Sequence, residues 1–147
     1  MEEKKLAKPL ESVYWLLRLV FGIVPIVAGL DKFTNLLTSW AQYLNPTLPR
    51  ILHVAPTSFM HIVGVIEIVA GVLVLVPQTS RYFAYVVSLW LLCIALQLVP
   101  MLRYLDVAVR DLVMACGAYT LARLSEVREG EIVVRKVTVQ TQEPSPA

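Results

Sequence analysis

The stretch SFMHIVGVIEIVAGVLVLV, residues 58–76, is almost wholly apolar and carries a single acid, Glu67, at its middle. Its nineteen residues match the roughly 20 that a helix needs to cross the hydrocarbon core of a bilayer. Lipid offers the backbone no hydrogen bonds, so such a segment must be helical. A carboxylate at its centre costs about 3 kcal/mol on insertion scales. Another part of the chain must therefore face Glu67, or Glu67 must hold a proton. Gly64 lies three residues before it and Gly71 four after, which puts all three on one helical face. Small residues on that face let a second helix approach closely. Glu67 is expected to point into protein rather than lipid.

Working outward, the spacing predicts an all-α integral membrane four-helix bundle with spans at about 12–30, 58–76, 82–99 and 104–124. In the first span Arg18, Gly22, Pro25, Gly29 and Lys32 recur at three- and four-residue steps and share a face. In the third, Ser88, Cys93 and Gln97 are the polar content, and Pro100 closes it. The fourth opens with Asp106, Arg110 and Asp111. Asp106 and Arg110 are an i, i+4 pair, and Asp111 shares a small face with Ala115, Ala118 and Ala122. Between the first two spans, Phe33, Leu36, Leu37, Trp40, Ala41 and Leu44 follow helical spacing, which predicts a short amphipathic interfacial helix.

After residue 124 the character changes. The tail EIVVRKVTVQT, from Glu131 to Thr141, is β-branched and partly alternating, which predicts a strand, and QEPSPA reads as a flexible end. A lone strand is unstable in water, so this one pairs with another copy or a partner, or is not ordered at all. Lysines and arginines concentrate beyond the N-terminal end of the first span, at the turn near Arg81 and after residue 122, which places residues 1–11 and 125–147 on the cytoplasmic side of an inner membrane.

Composition agrees. Of 147 residues, 57% are hydrophobic, and mean hydropathy is positive, as in a small integral membrane protein. No basic patch interleaved with aromatics points to nucleic acid. Cys93 and Cys116 form no C-x-x-C and lie in apolar segments, so no metal site or disulfide framework is implied. His61 and His53 are better explained by interfacial hydrogen bonding than as a haem ligand pair.

The intramembrane charges Arg18, Glu67, Asp106, Arg110 and Asp111 are expected to form one connected network, with Arg18 and Arg110 flanking the two acids Glu67 and Asp111. Lys32, His61 and Gln97 are candidates for contact with a polar headgroup. Such a network can simply fix helix register, or it can line a site for a headgroup such as a quinone, or carry protons.

The runs WLLRLVFGIVPIVAGLDKF, FMHIVGVIEIVAGVLVLVP and YLDVAVRDLVMACGAYTLARLS resemble, in that order, helices of the DoxX family of small four-helix membrane proteins. The resemblance covers about residues 13–124. It implies four transmembrane helices, no soluble catalytic domain, and similarity to subunits of thiosulfate:quinone oxidoreductases or to membrane partners of redox and stress-response enzymes. It carries Arg18, Glu67, Arg110 and Asp111 over as family positions and assigns none of them a catalytic role. The tail after Gly130 lies outside the pattern.

These readings converge on an accessory subunit of a larger, quinone- or redox-linked membrane complex, in contact with lipid and with other subunits through residues 131–141, or with a second copy of itself. Two other classes remain open. A membrane oxidoreductase acting on quinone would need a cofactor motif, and the sequence shows none. A small transporter or proton conductor would use the buried acids and would be favoured by inverted repeats or broken helices.

Overall fold

The computed structural model describes the backbone of residues 2–142, and every regular element among them is helical. Helix α1 is Glu2–Thr34. A single 3₁₀ turn, Trp40–Tyr43, and a short helix, α2 (Thr47–Leu52), lead to α3 (Pro56–Leu75). A tight turn joins α3 to α4 (Ser80–Leu98), and the 3₁₀ turn Val99–Met101 precedes α5 (Leu105–Gln142). Helix α1 packs along α3 and α4 along α5, with lighter contacts between α3 and α4 and between α1 and α5. One end of the bundle carries the turn after α3 and the cytoplasmic-predicted segments. The other carries the connections 35–55 and 99–104 and is called the loop end below.

Among the described residues, three helical segments are long and apolar enough to cross a membrane: Pro9–Thr34, Pro56–Leu75 and Ser80–Met101. Their outward residues are aliphatic, as at Leu16, Ile23, Val69 and Leu89. The core between them and α5 is built from Tyr14, Phe21, Val74, Ala84, Val87, Ala118, Leu121 and Ala122.

Glycines set the antiparallel register of α1 and α3. A methyl group on Gly29 would lie 2.5 Å from the Gly64 carbonyl oxygen, and one on Gly71 would lie 2.5 Å from that of Gly22. The backbones touch at these two levels, seven residues apart on each helix, so any side chain there would push the pair apart. The face Arg18–Gly22–Gly29–Lys32 thus meets the face Gly64–Glu67–Gly71, as the spacing in both helices predicts.

Two expected elements are replaced by others. The amphipathic helix over 33–44 is reduced to the turn Trp40–Tyr43. Asn35, at φ 51°, stops α1 in the left-handed conformation. The Asp31 carboxylate then accepts the Leu36 and Leu37 N–H groups, at 2.9 and 3.1 Å, that a continuing helix would have used. The strand at 131–141 is also absent. Its backbone continues α5 as helix. A helix closes its own hydrogen bonds, whereas a solitary strand leaves them open, and β-branched residues cost a helix only about 0.5 kcal/mol each. From Glu143 on, the end read as flexible falls outside the described residues. At 38 residues, α5 is roughly 57 Å long, well beyond the roughly 30 Å of a hydrocarbon core.

Candidate functional site

Glu67 is buried, and its partner is Lys32, in the last turn of α1: Lys32 Nζ lies 2.5 Å from Glu67 Oε2. Both side chains lean toward the N-termini of their own helices. In an antiparallel pair this brings them together, beside the contact of Gly29 with Gly64. Burial leaves Lys32 4% and Glu67 8% exposed.

The connection after α1 covers this pair. The Trp40 ring lies over Lys32, with Nζ 3.8 Å from the ring centroid, a cation–π contact in a desolvated place. Trp40 is held by its own N–H, which donates to Asp31 Oδ2 at 2.7 Å. Asp31 is the hub of the cover, since it also accepts from Thr34 Oγ1 at 3.1 Å and from the two loop amides. A second tie comes from α4: Gln97 Nε2 donates to the Tyr43 carbonyl at 2.8 Å, and Gln97 Oε1 accepts from the Asn45 N–H at 3.0 Å.

Beneath the cover two groups from the other helix pair approach. Asp111 of α5, 8% exposed, is an electrostatic neighbour of both Lys32 and Glu67. Trp90 of α4 stands beside Glu67, yet its Nε1 is buried without an acceptor in hydrogen-bond geometry. An unpartnered buried N–H is costly. Its N–H lies within reach of the Glu67 carboxylate that also holds Lys32, in a setting rich in aromatic rings. His61 stacks on Phe33, centroids 4.9 Å apart, at the same end. Along the outer side of α1, Val27, Leu30, Asp31, Thr34, Leu36 and Leu37 line an open, mostly apolar cleft of about 300 Å³. It reaches the cover through Asp31.

The five-residue network expected from the sequence divides. Glu67 and Asp111 come together, joined by Lys32 rather than by Arg18. Arg110 contacts its neighbour Asp111 at 3.4 Å, with its side chain 68% exposed. Asp106 is exposed in the first turn of α5. Arg18 sits toward the opposite end, 2% exposed. It donates to the Val74 carbonyl at 3.2 Å and to the Leu75 carbonyl, and it stacks on Trp15 at 4.8 Å. It thereby satisfies carbonyls that the end of α3 leaves open. Of the headgroup candidates, Lys32 is in the site, His61 is at its edge, and Gln97 is bound to the loop.

Asp31 is not among the candidates that the sequence offers, and Trp40 and Trp90 enter it only as rings able to stack on a ligand. Asp31 and Trp40 are signalled by an acid at a helix end followed nine residues later by an indole donor. Trp90 has no local signal, because its place beside Glu67 depends on how α4 meets α3.

The family model for DoxX matches residues 13–99, more than half of the chain, from early in α1 to the end of α4. No curated protein and no solved structure matches.

Proposed function

The chain belongs to the DoxX family, and on that premise we propose that it is a four-span accessory subunit of a redox membrane complex, holding the headgroup of a membrane quinone at the covered Lys32–Glu67 pair. The observation that carries the proposal is a buried ammonium and an indole N–H converging on one carboxylate. Two donors in one aromatic, largely dry place suit the carbonyl oxygens of a quinone ring. Trp40 supplies a flat surface above, and the cleft along Val27 and Leu30 suits the hydrocarbon tail. Glu67 holds the Lys32 side chain in position. The sequence carries no fingerprint for a redox centre of its own, so the electrons are assigned to a partner.

In this proposal α5 is the fourth span. The excess of lysine and arginine beyond the end opposite the loop end supports assigning both termini to the cytoplasm of an inner membrane. The end of α5 beyond the bundle then becomes the docking element for the partner.

Two of the three tryptophans flank the site, so intrinsic fluorescence tests it. Titrating the detergent-purified protein with a decyl benzoquinone should give saturable quenching. Lys32→Met should abolish saturation while helicity is retained. Linear quenching, equal in both proteins, would remove quinone from the proposal. The subunit role is tested separately, by affinity purification from native membranes in mild detergent. A stoichiometric redox-cofactor protein should accompany the full chain and be lost on deletion of residues 131–147. Recovery of the chain alone would overturn that role.

A further inference from the structure

The end of the bundle opposite the loop end holds a second arrangement of charges, and it is out of balance. Arg18 is buried, and it donates to two carbonyls of α3 and to the Tyr14 hydroxyl, the latter at 3.4 Å. Among the described residues no carboxylate forms an ion pair with it. A buried cation without an anion is costly. Arg128 of α5 stands over the same two rings. It lies 4.7 Å from the Tyr14 centroid and 5.3 Å from that of Trp15, where Arg18 lies at 5.8 and 4.8 Å. Two guanidiniums therefore share one aromatic pair.

The acids of the nearby turns of α5 are committed elsewhere. Glu129 pairs with Arg81 at 3.0 Å. Glu126 pairs with Arg123 at 2.6 Å and accepts from the Tyr85 hydroxyl at 3.0 Å. Among the described residues, the one acid paired with either stacked arginine is Glu11, 3.7 Å from Arg128 and mostly exposed. An exposed pair at that distance contributes little and yields to a better acceptor.

We propose that this corner binds the phosphate of an anionic phospholipid, held by the Arg128 guanidinium in place of Glu11 and seated against Trp15. A phosphate accepts two parallel bonds from a guanidinium, and its charge offsets the excess that Arg18 leaves behind the rings. The level is right for a lipid. The nineteen residues between Glu11 and Asp31 rise roughly 28 Å, close to the roughly 30 Å of a hydrocarbon core, so Glu11 and the arginine that meets it lie among headgroups. Trp15 is exposed at that boundary, and Leu19 and Ile23, also exposed, follow it at four-residue steps, a row against which acyl chains can lie. Lys32 and Glu67 are at the other end of the bundle, so this site stands or falls apart from quinone contact.

Native mass spectrometry of the detergent-purified full chain reads this site. A phosphatidylglycerol and a phosphatidylcholine with the same acyl chains are added in equal amounts. The protein should retain the anionic lipid about fivefold over the zwitterionic one. Arg128→Gln should bring the ratio close to parity, and Trp15→Leu should lower it, with helicity retained in both. Glu11→Gln removes the competing acid and should raise the ratio about twofold. A fall with Glu11→Gln would mark the Arg128–Glu11 contact as a brace and overturn the proposal. Arg103→Gln, which removes an exposed arginine stacked on Tyr104 at the loop end, should leave the ratio unchanged. An equal drop there would reduce the effect to general charge and overturn the site. So would equal retention of the two lipids by the parent, or displacement of the bound lipid by the soluble headgroup glycerophosphoglycerol, which would make the ligand a free phosphate ester.

Discussion

Lys32 and Glu67 form a buried pair whose halves are expensive separately and cheap together. Removing one partner of such a pair leaves the other charge unpaired and costs about 3–5 kcal/mol, whereas replacing both with apolar residues of similar volume is close to neutral. Lys32→Met alone should therefore destabilise the protein strongly, and Lys32→Met with Glu67→Met should recover most of the loss. Equilibrium unfolding in mixed micelles measures both arms of the cycle. That Glu67 faces protein is legible from Gly64 and Gly71, because helical spacing alone settles the face. Its partner is not legible in the same way. Arg18 and Lys32 lie on the same face of α1, and only the match of Gly29 with Gly64 brings Lys32 to the right level. Arg18, fourteen residues earlier, is about four helical turns away, where the open carbonyls of α3 claim it.

At the scale of elements, the α1–α3 contact leaves no room at its glycines. A methyl on Gly64 would lie 2.7 Å from the Gly29 carbonyl oxygen, whereas one on Gly130 would meet nothing within 4 Å. Gly64→Ala should cost about 1–3 kcal/mol through overpacking. Gly130→Ala should instead raise local helix stability by about 0.5–1 kcal/mol. Thermal unfolding reads the first, and amide exchange across α5 reads the second. The long helices were visible in the sequence because length and periodicity report them directly. The connection after α1 was not, since its apolar spacing fits a helix and only the Asp31 carboxylate, acting at two amides and an indole, diverts the backbone. The tail misled for a related reason. Its β-branched residues favour a strand only when a neighbouring strand exists, and α5 was already there to be extended.

For the whole molecule, the proposed four-span, cytoplasmic-termini arrangement makes a topological prediction, because an even number of spans returns the chain to the side from which it started. Reporters that are active only in the cytoplasm should therefore be active when fused at either end, and a fusion within 45–55 should be silent. A silent C-terminal fusion beside an active N-terminal one would mean that α5 does not cross. The two tightly packed helix pairs, α1 with α3 and α4 with α5, meet along lighter contacts, and the segment 35–46 is anchored to both of them. Trp40 is fastened to Asp31 on the first pair, and the Tyr43 carbonyl and Asn45 N–H to Gln97 on the second. A strap moored at both banks cannot stay still when the banks move. Any hinge motion between the halves must drag the indole across the ammonium, so access to the charge and the spread of the bundle share a single mechanical coordinate.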